Sequence, residues 1–194
     1  MKIVFFTENN HKGGMDTFIC NLINFWPNNT DEFIFICNSS HPGLETLKNS
    51  ISKKCTFYEH NLILAPDIVS KYFSSFPEVI KKLLRTTLKI LLYPYLKINL
   101  EKILRKFNGD ALYSINGAYP GGESCRISNI AWKNLERKNN FHNIHNFAAN
   151  IKPVLNLYED YVDKKLIDSV DRFIGVSDVC ANSLYKRKSF DECK

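Results

Sequence analysis

Apolar residues in this chain fall in short dense runs, separated by turn residues and by segments of helical period. The first run, Ile3 to Phe6, gives way to Thr7-Glu8-Asn9-Asn10 and then to Gly13-Gly14. A segment over 14–25 follows, with Phe18, Leu22 and Phe25 at helical spacing, and Pro27-Asn28-Asn29 ends it. The pattern predicts a strand, a glycine loop and a helix. Further strands are predicted at 32–38, 55–64, 109–117, 141–148 and 171–178. Helical segments lie between them: a short one after Pro42-Gly43, one after Gly121-Gly122, one over 155–170, and a last one opening at Asp178. Strands alternating with helices imply an α/β chain, a single Rossmann-like domain with a mostly parallel sheet flanked by helices. The expected domain covers 1–185 with a tail at 186–194; no internal repeat or low-complexity linker interrupts it.

In such sheets a ligand lies at the carboxyl ends of the strands. That rule selects the loops His11 to Gly14, Asn116 to Glu123, His145-Asn146 and Ser177-Asp178. Glycines there let backbone N–H groups approach an oxyanion at the positive end of a helix, and Lys12 adds a point charge. The same glycine pair is equally compatible with a plain tight turn. The loop is not GxGxxG, and no Walker GxxxxGK[ST] occurs in the chain.

Composition narrows the class. The chain of 194 residues is 44% hydrophobic and 24% charged, ordinary for a soluble globular domain. Ile3 to Phe6 is too short for a signal h-region, and no run of about 18 apolar residues exists to span a bilayer. The six cysteines include no CxxC pair, so they read as reduced thiols of a cytoplasmic protein. His142 and His145 have the H-x2-H spacing, but on a strand they point to opposite faces, which suits no single zinc. No Asp-x-Asp motif occurs either.

Residues 77–107 carry eight Lys and Arg against Glu78 and Glu101, a balance of +6 that equals the net charge of the whole chain. As a helix up to Tyr93, the stretch puts Ile80, Leu84, Leu88 and Leu91 on one side and Lys82, Arg85 and Lys89 opposite; Pro94 then breaks or kinks it. Two readings fit: a core-facing helix with a solvated basic face, or a docking surface for an anionic membrane. Nucleic acid would suit the charge, but no helix-turn-helix, RNP or KH signature accompanies it.

Three stretches together resemble family-4 glycosyltransferases of the GT-B fold. "KGGMDTFICNLI" resembles their first loop and helix, "FHNIHNFA" their strand ending in a cleft histidine, and "DRFIGVSDVCANSL" the strand that closes the N-terminal lobe. "NGAYPGGESCR" looks like an acceptor-side loop of surface-polysaccharide members. The resemblance implies a retaining, metal-independent transferase without a resident cofactor. Its N-terminal lobe would receive a saccharide or lipid-linked acceptor, and its C-terminal lobe a nucleotide sugar through an E-x7-E signature. No two glutamates here stand eight positions apart, so the chain is expected to be the acceptor-side lobe, inactive without a donor lobe.

The resemblance assigns His145 to the cleft, hydrogen-bonding or deprotonating an acceptor hydroxyl; the alternative is a satisfied histidine at a strand end. Lys12, Gly13, Gly14, Asn116, Gly121, Gly122, Glu123, Asn146 and Ser177 complete the expected substrate-binding set. Glu123 could meet an acceptor hydroxyl or cap its helix, and Ser177 could line the cleft or cap the last helix. Asp16 is expected in the first turn of its helix. A competing class is a non-catalytic binding or membrane-docking subunit that keeps the fold.

Overall fold

The computed structural model describes residues 1–151 and 156–191. Six strands form one sheet: β1 (Lys2–Thr7), β2 (Glu32–Asn38), β3 (Cys55–His60), β4 (Ala111–Asn116), β5 (Asn140–Ile144) and β6 (Arg172–Gly175). They pair in the order β3-β2-β1-β4-β5-β6, every pair parallel. Ile3 to Phe6 and Phe33 to Ile36 are buried without a break, as expected of strands covered on both faces. Alternation then divides the core. Val4, Phe6, Ile34 and Ile36 meet Leu96, Leu100 and Trp132 on one face. Ile3, Phe5, Phe33 and Phe35 meet Ile19, Ile23, Leu44 and Leu47 on the other.

The helices are α1 (Gly14–Asn24), α2 (Leu44–Ser50), α3 (Ala65–Tyr72), α4 (Glu78–Arg105), α5 (Glu123–Asn134), α6 (Asn156–Ile167), α7 (Asp178–Asn182) and α8 (Lys188–Asp191), with a 3-10 turn at Ser183–Lys186. Residues 188–191, expected in the tail, instead bury Ser189 and Phe190, the latter edge-on to Tyr119 and Phe173. Cys193 and residues 152–155 lie outside the described residues. β5 ends at Ile144, so His145 and Asn146 stand in the loop beyond it.

Helix α4 departs most from expectation. It runs through Pro94 as one element of 28 residues. A proline there deletes the bond to the Ile90 carbonyl, and the residues just beyond it, Leu96, Leu100, Ile103 and Leu104, are buried. Its first half makes no full core contact. Leu84 and Leu88 are half-buried, Ile80 is exposed, and Leu91 is 65% exposed. The expected apolar side therefore faces solvent in part. Lys89, placed on the opposite solvated face, instead lies 3.3 Å from Glu123. No helix among the described residues is long and apolar enough to cross a membrane.

Candidate functional site

The strand order reverses direction between β1 and β4, so the loops leaving them diverge and open a crevice. A cavity of about 300 Å³ occupies that position. Glu8, Asn9, Asn10 and His11 line it from the β1 loop, and Asn116, Gly121, Gly122 and Glu123 from the β4 loop. Lys89, Leu92 and Leu96 of α4, Met15 of α1 and Pro66 of α3 close the remaining wall.

The β4 loop is shaped by its side chains. Asn116 donates to the Pro120 carbonyl at 3.1 Å and accepts from the Gly122 amide at 3.0 Å. The Tyr119–Pro120 peptide is cis, and Gly121 has φ +50, where a Cβ would collide with the Ala118 carbonyl and Asn116 Oδ1. A Cβ on Gly122 would lie 3.0 Å from Glu8 Cβ, so glycine there lets the two loops close on each other.

Glu8 and Glu123 bring carboxylates to the cavity floor under opposite influences. Glu8 Oε2 accepts from the Ser124 amide at 2.9 Å and its hydroxyl at 2.7 Å, at the N-terminus of α5. Burial pushes the Glu8 carboxyl up, and neighbouring Glu123 adds to the rise; the Ser124 bonds oppose it. Glu123 is desolvated too, but Arg126 at 2.6 Å and Lys89 at 3.3 Å outweigh that and hold its carboxyl at about 2. The Tyr158 hydroxyl also donates to Glu123.

Behind Glu123 a buried network continues. Arg126 reaches Glu159 at 2.7 Å and Asp163 at 3.6 Å. Arg187 bonds Glu159 and Asp163, each at 2.7 Å, and donates to the Ala149 carbonyl at 3.1 Å. Tyr119 donates to Asp163 at 2.6 Å. Arg126, Arg187 and Lys89 balance Glu123, Glu159 and Asp163 in charge, whereas Glu8 forms no salt bridge among the described residues.

The expected site residues divide into groups. Asn116, Gly121, Gly122 and Glu123 meet in the cavity. Lys12 and Gly13 line a separate depression between α1 and α2, with Lys12 Nζ 3.2 Å from Thr46 Oγ1. The Gly13 amide donates to Asp16 at 3.2 Å, and Gly14 opens α1. Asp16 sits in the first turn as expected, accepts from Asn9 Nδ2 at 3.0 Å and lies 3.4 Å from His41 Nε2. Ser177 caps α7 by accepting from the Cys180 amide at 3.2 Å. Asn146 is exposed and bonds the next amide, that of Phe147.

His145 packs edge-on against Phe18, ring centres 4.4 Å apart, and its buried Nε2 has no hydrogen-bond partner among the described residues. Burial lowers its pKa. It does not line the cavity. His142 is fully buried, its Nδ1 2.7 Å from Asn129 Oδ1.

Glu8, Asn9, Asn10 and Lys89 were missed in the sequence. Glu8 is among the first polar residues after the opening apolar run, so the strand's own end marked it. Lys89 carried no such mark; only the length of α4 brings it to the cavity.

Among solved structures, the chain is similar to a Listeria monocytogenes protein assigned as a UDP-N-acetylglucosamine 2-epimerase, with TM-score 0.56 and 8% identity over 100% of this chain and 42% of that one. It is also similar to S. aureus MnaA in a co-structure with UDP, with TM-score 0.57 and 10% identity over 98% of this chain and 43% of that one. The chain thus spans less than half the length of these structures. No family model and no curated protein matches the sequence. At these identities the likeness establishes fold alone, and that fold is a Rossmann-like half of a GT-B architecture.

Proposed function

We propose that this lobe receives a hydroxyl-bearing saccharide in the cavity between β1 and β4, as the acceptor-side half of a glycosyltransferase that uses a nucleotide sugar. The observation that carries this reading is the state of the helix ends. In a dinucleotide-binding half, free amides at these helix N-termini cradle the phosphates. Here the first-turn amide of Ser124 in α5 is bonded to Glu8, and the amides of Gly13 and Gly122, just ahead of α1 and α5, are bonded to Asp16 and Asn116. Carboxylates beside the cavity would repel a phosphate, but they accept hydrogen bonds from hydroxyls. The Asn9, Asn10 and Asn116 side chains suit the same ligand, and apolar Leu92, Leu96 and Met15 can meet a sugar's carbon face.

The donor then belongs to a second lobe; the UDP bound by S. aureus MnaA is consistent with a nucleotide-sugar donor. Assignment to family 4, to surface-polysaccharide assembly and to a retaining mechanism rests on the sequence resemblance. His145, on the same sheet edge, is proposed to join the site only when a second lobe covers it. Calorimetry with UDP-sugars tests the division of labour. This chain should bind them weakly and transfer no sugar, whereas micromolar binding or turnover by the pure chain would overturn it.

A lipid-linked acceptor would give α4 a purpose. Tyr72, Phe76, Val79, Ile80, Leu83 and Leu91 are exposed beside exposed Lys71 and Lys82. Apolar side chains edged by cations suit the surface of an anionic membrane, and the proposed location is the cytoplasmic face. The same strip favours the second reading, a docking subunit without activity of its own.

A further inference from the structure

We propose that Glu8 is the recognition carboxylate of this cavity, with Oε1 accepting a hydrogen bond from a hydroxyl of the bound sugar. The inference rests on the acceptor-cavity reading and names the group that gives it affinity. Both protein bonds to this carboxylate go to Oε2, from the Ser124 amide and hydroxyl. Oε1 accepts from no group among the described residues. A half-buried carboxylate with one oxygen fixed by Ser124 and the other not buried presents that second oxygen, in a set orientation, to what enters the cavity.

The surroundings fix its orientation. The Glu8 amide donates to Cys125 Sγ at 3.2 Å, which ties backbone and carboxylate alike to α5. Gly122 packs against Glu8 so closely that a Cβ would lie 3.0 Å from Glu8 Cβ and 3.3 Å from its Cδ. Charge balance singles out the same residue: Lys89, Arg126 and Arg187 are matched by Glu123, Glu159 and Asp163, and Glu8 has no ion pair among the described residues. A ligand donor can therefore meet Oε1 without displacing a protein bond.

The titratable groups around Glu8 set the sign of a pH effect. Glu123 of α5 repels its charge, and Lys89 of α4 attracts it; the Cys125 thiol and the His11 imidazole of the cavity rim complete the set. The carboxyl is raised above its ordinary value by burial, and a hydroxyl donating to Oε1 favours the ionised form. Affinity should hold at neutral pH and fall as pH drops through the raised Glu8 value.

The test uses the methyl glycosides of glucose, galactose, mannose and N-acetylglucosamine, titrated into the 15N-labelled chain at up to about 100 mM. At least one should shift the Gly122 and Ser124 amides, with affinity decreasing toward acid. Glu8→Gln keeps an oxygen for Ser124 but loses the charge. It should weaken that affinity roughly 10-fold or more, as expected for a hydrogen bond to a charged group, and flatten the pH profile. Glu8→Asp, which keeps the charge on a shorter arm, should recover part of the pH dependence. Binding that persists unchanged in Glu8→Gln overturns the role of Glu8 and leaves the cavity assignment standing. No shift at Gly122 or Ser124 with any of the four glycosides overturns the acceptor-cavity reading, and this inference with it.

Discussion

On the β1–β3 side, the sheet is covered by Ile19, Ile23, Leu44 and Leu47, and Trp26 stands edge-on to Phe5 and Phe33. On the β4–β6 side, the buried residues include Arg126, Arg187, Glu159, Asp163, Asn129, Asn140 and His142. The two flanks share one topology and differ in what holds them. An apolar flank gains stability from area removed from water and tolerates swaps that conserve volume. A buried ionic flank gains little over an apolar one, yet it suffers when a single partner is removed. The ionic flank adjoins the cavity and fixes Glu123 through Arg126. We read its retention as fixing the position of a carboxylate, a hypothesis that the variants below test.

The sharpest break in this comparison is Arg126→Met. It leaves Glu123 and Glu159 buried beside each other with less compensation, so it should cost about 3–5 kcal/mol in urea unfolding. A loss below about 1 kcal/mol would show that the network is idle.

Acid should act on both flanks, and on the ionic one through two groups. His142 is held neutral by burial, its pKa lowered from 6.5 to about 3. A depressed folded value means that its contribution is complete above about pH 6.5 and is lost as pH falls toward 3. Glu123, lowered from 4.5 to about 2, contributes fully above about pH 4.5 and loses that contribution toward pH 2. His60, on the other flank, is lowered to about 4 and acts in the same direction as His142. Stability should therefore begin to decline below about pH 6.5, and His142→Gln should flatten the first part of that decline. Equal stability of the unaltered chain at pH 6.5 and 4.5 would refute this.

Ile19→Leu supplies the contrast on the apolar flank: a volume-conserving swap at this buried position should cost less than about 1.5 kcal/mol. If it cost as much as Arg126→Met, the distinction between the flanks would disappear. The smallest effect is expected outside both. Lys71→Gln with Lys82→Gln should weaken binding to vesicles rich in anionic lipid by about 1 kcal/mol per charge, and added salt should do the same. Indifference to vesicle charge would remove α4 from any membrane role.

The sequence makes one flank far more legible than the other. Unbroken runs such as Phe33 to Ile36 announce buried parallel strands, and all six strands fall where periodicity places them, with ends trimmed by a few residues. Asn116, Gly121, Gly122 and Glu123 were accessible because a glycine pair after a strand limits what the loop can do. The ionic flank was opaque. Arg126, Glu159, Asp163 and Arg187 look like surface charges on three separate segments, and only the assembled layers bring them together. Lys89 failed for a related reason: helical period gives a direction around an axis but not what stands opposite. His145 drew attention by its chemistry, but its ring is packed on Phe18.

Pro94 gives α4 a mechanical character. The helix is about 42 Å long at 1.5 Å per residue, with one end anchored by Leu96, Leu100 and Leu104 and the other burying no residue fully. The missing rung at Ile90 lies between the two, one residue from Lys89. A force on the less buried end would flex the rod there, and Lys89 would swing with it, toward or away from Glu123. The projecting arm would thus act as a lever whose fulcrum adjoins the cavity. Backbone amide exchange tests this directly: residues 86–91 should open more readily than 98–104, and equal protection would mean the rod is stiff throughout.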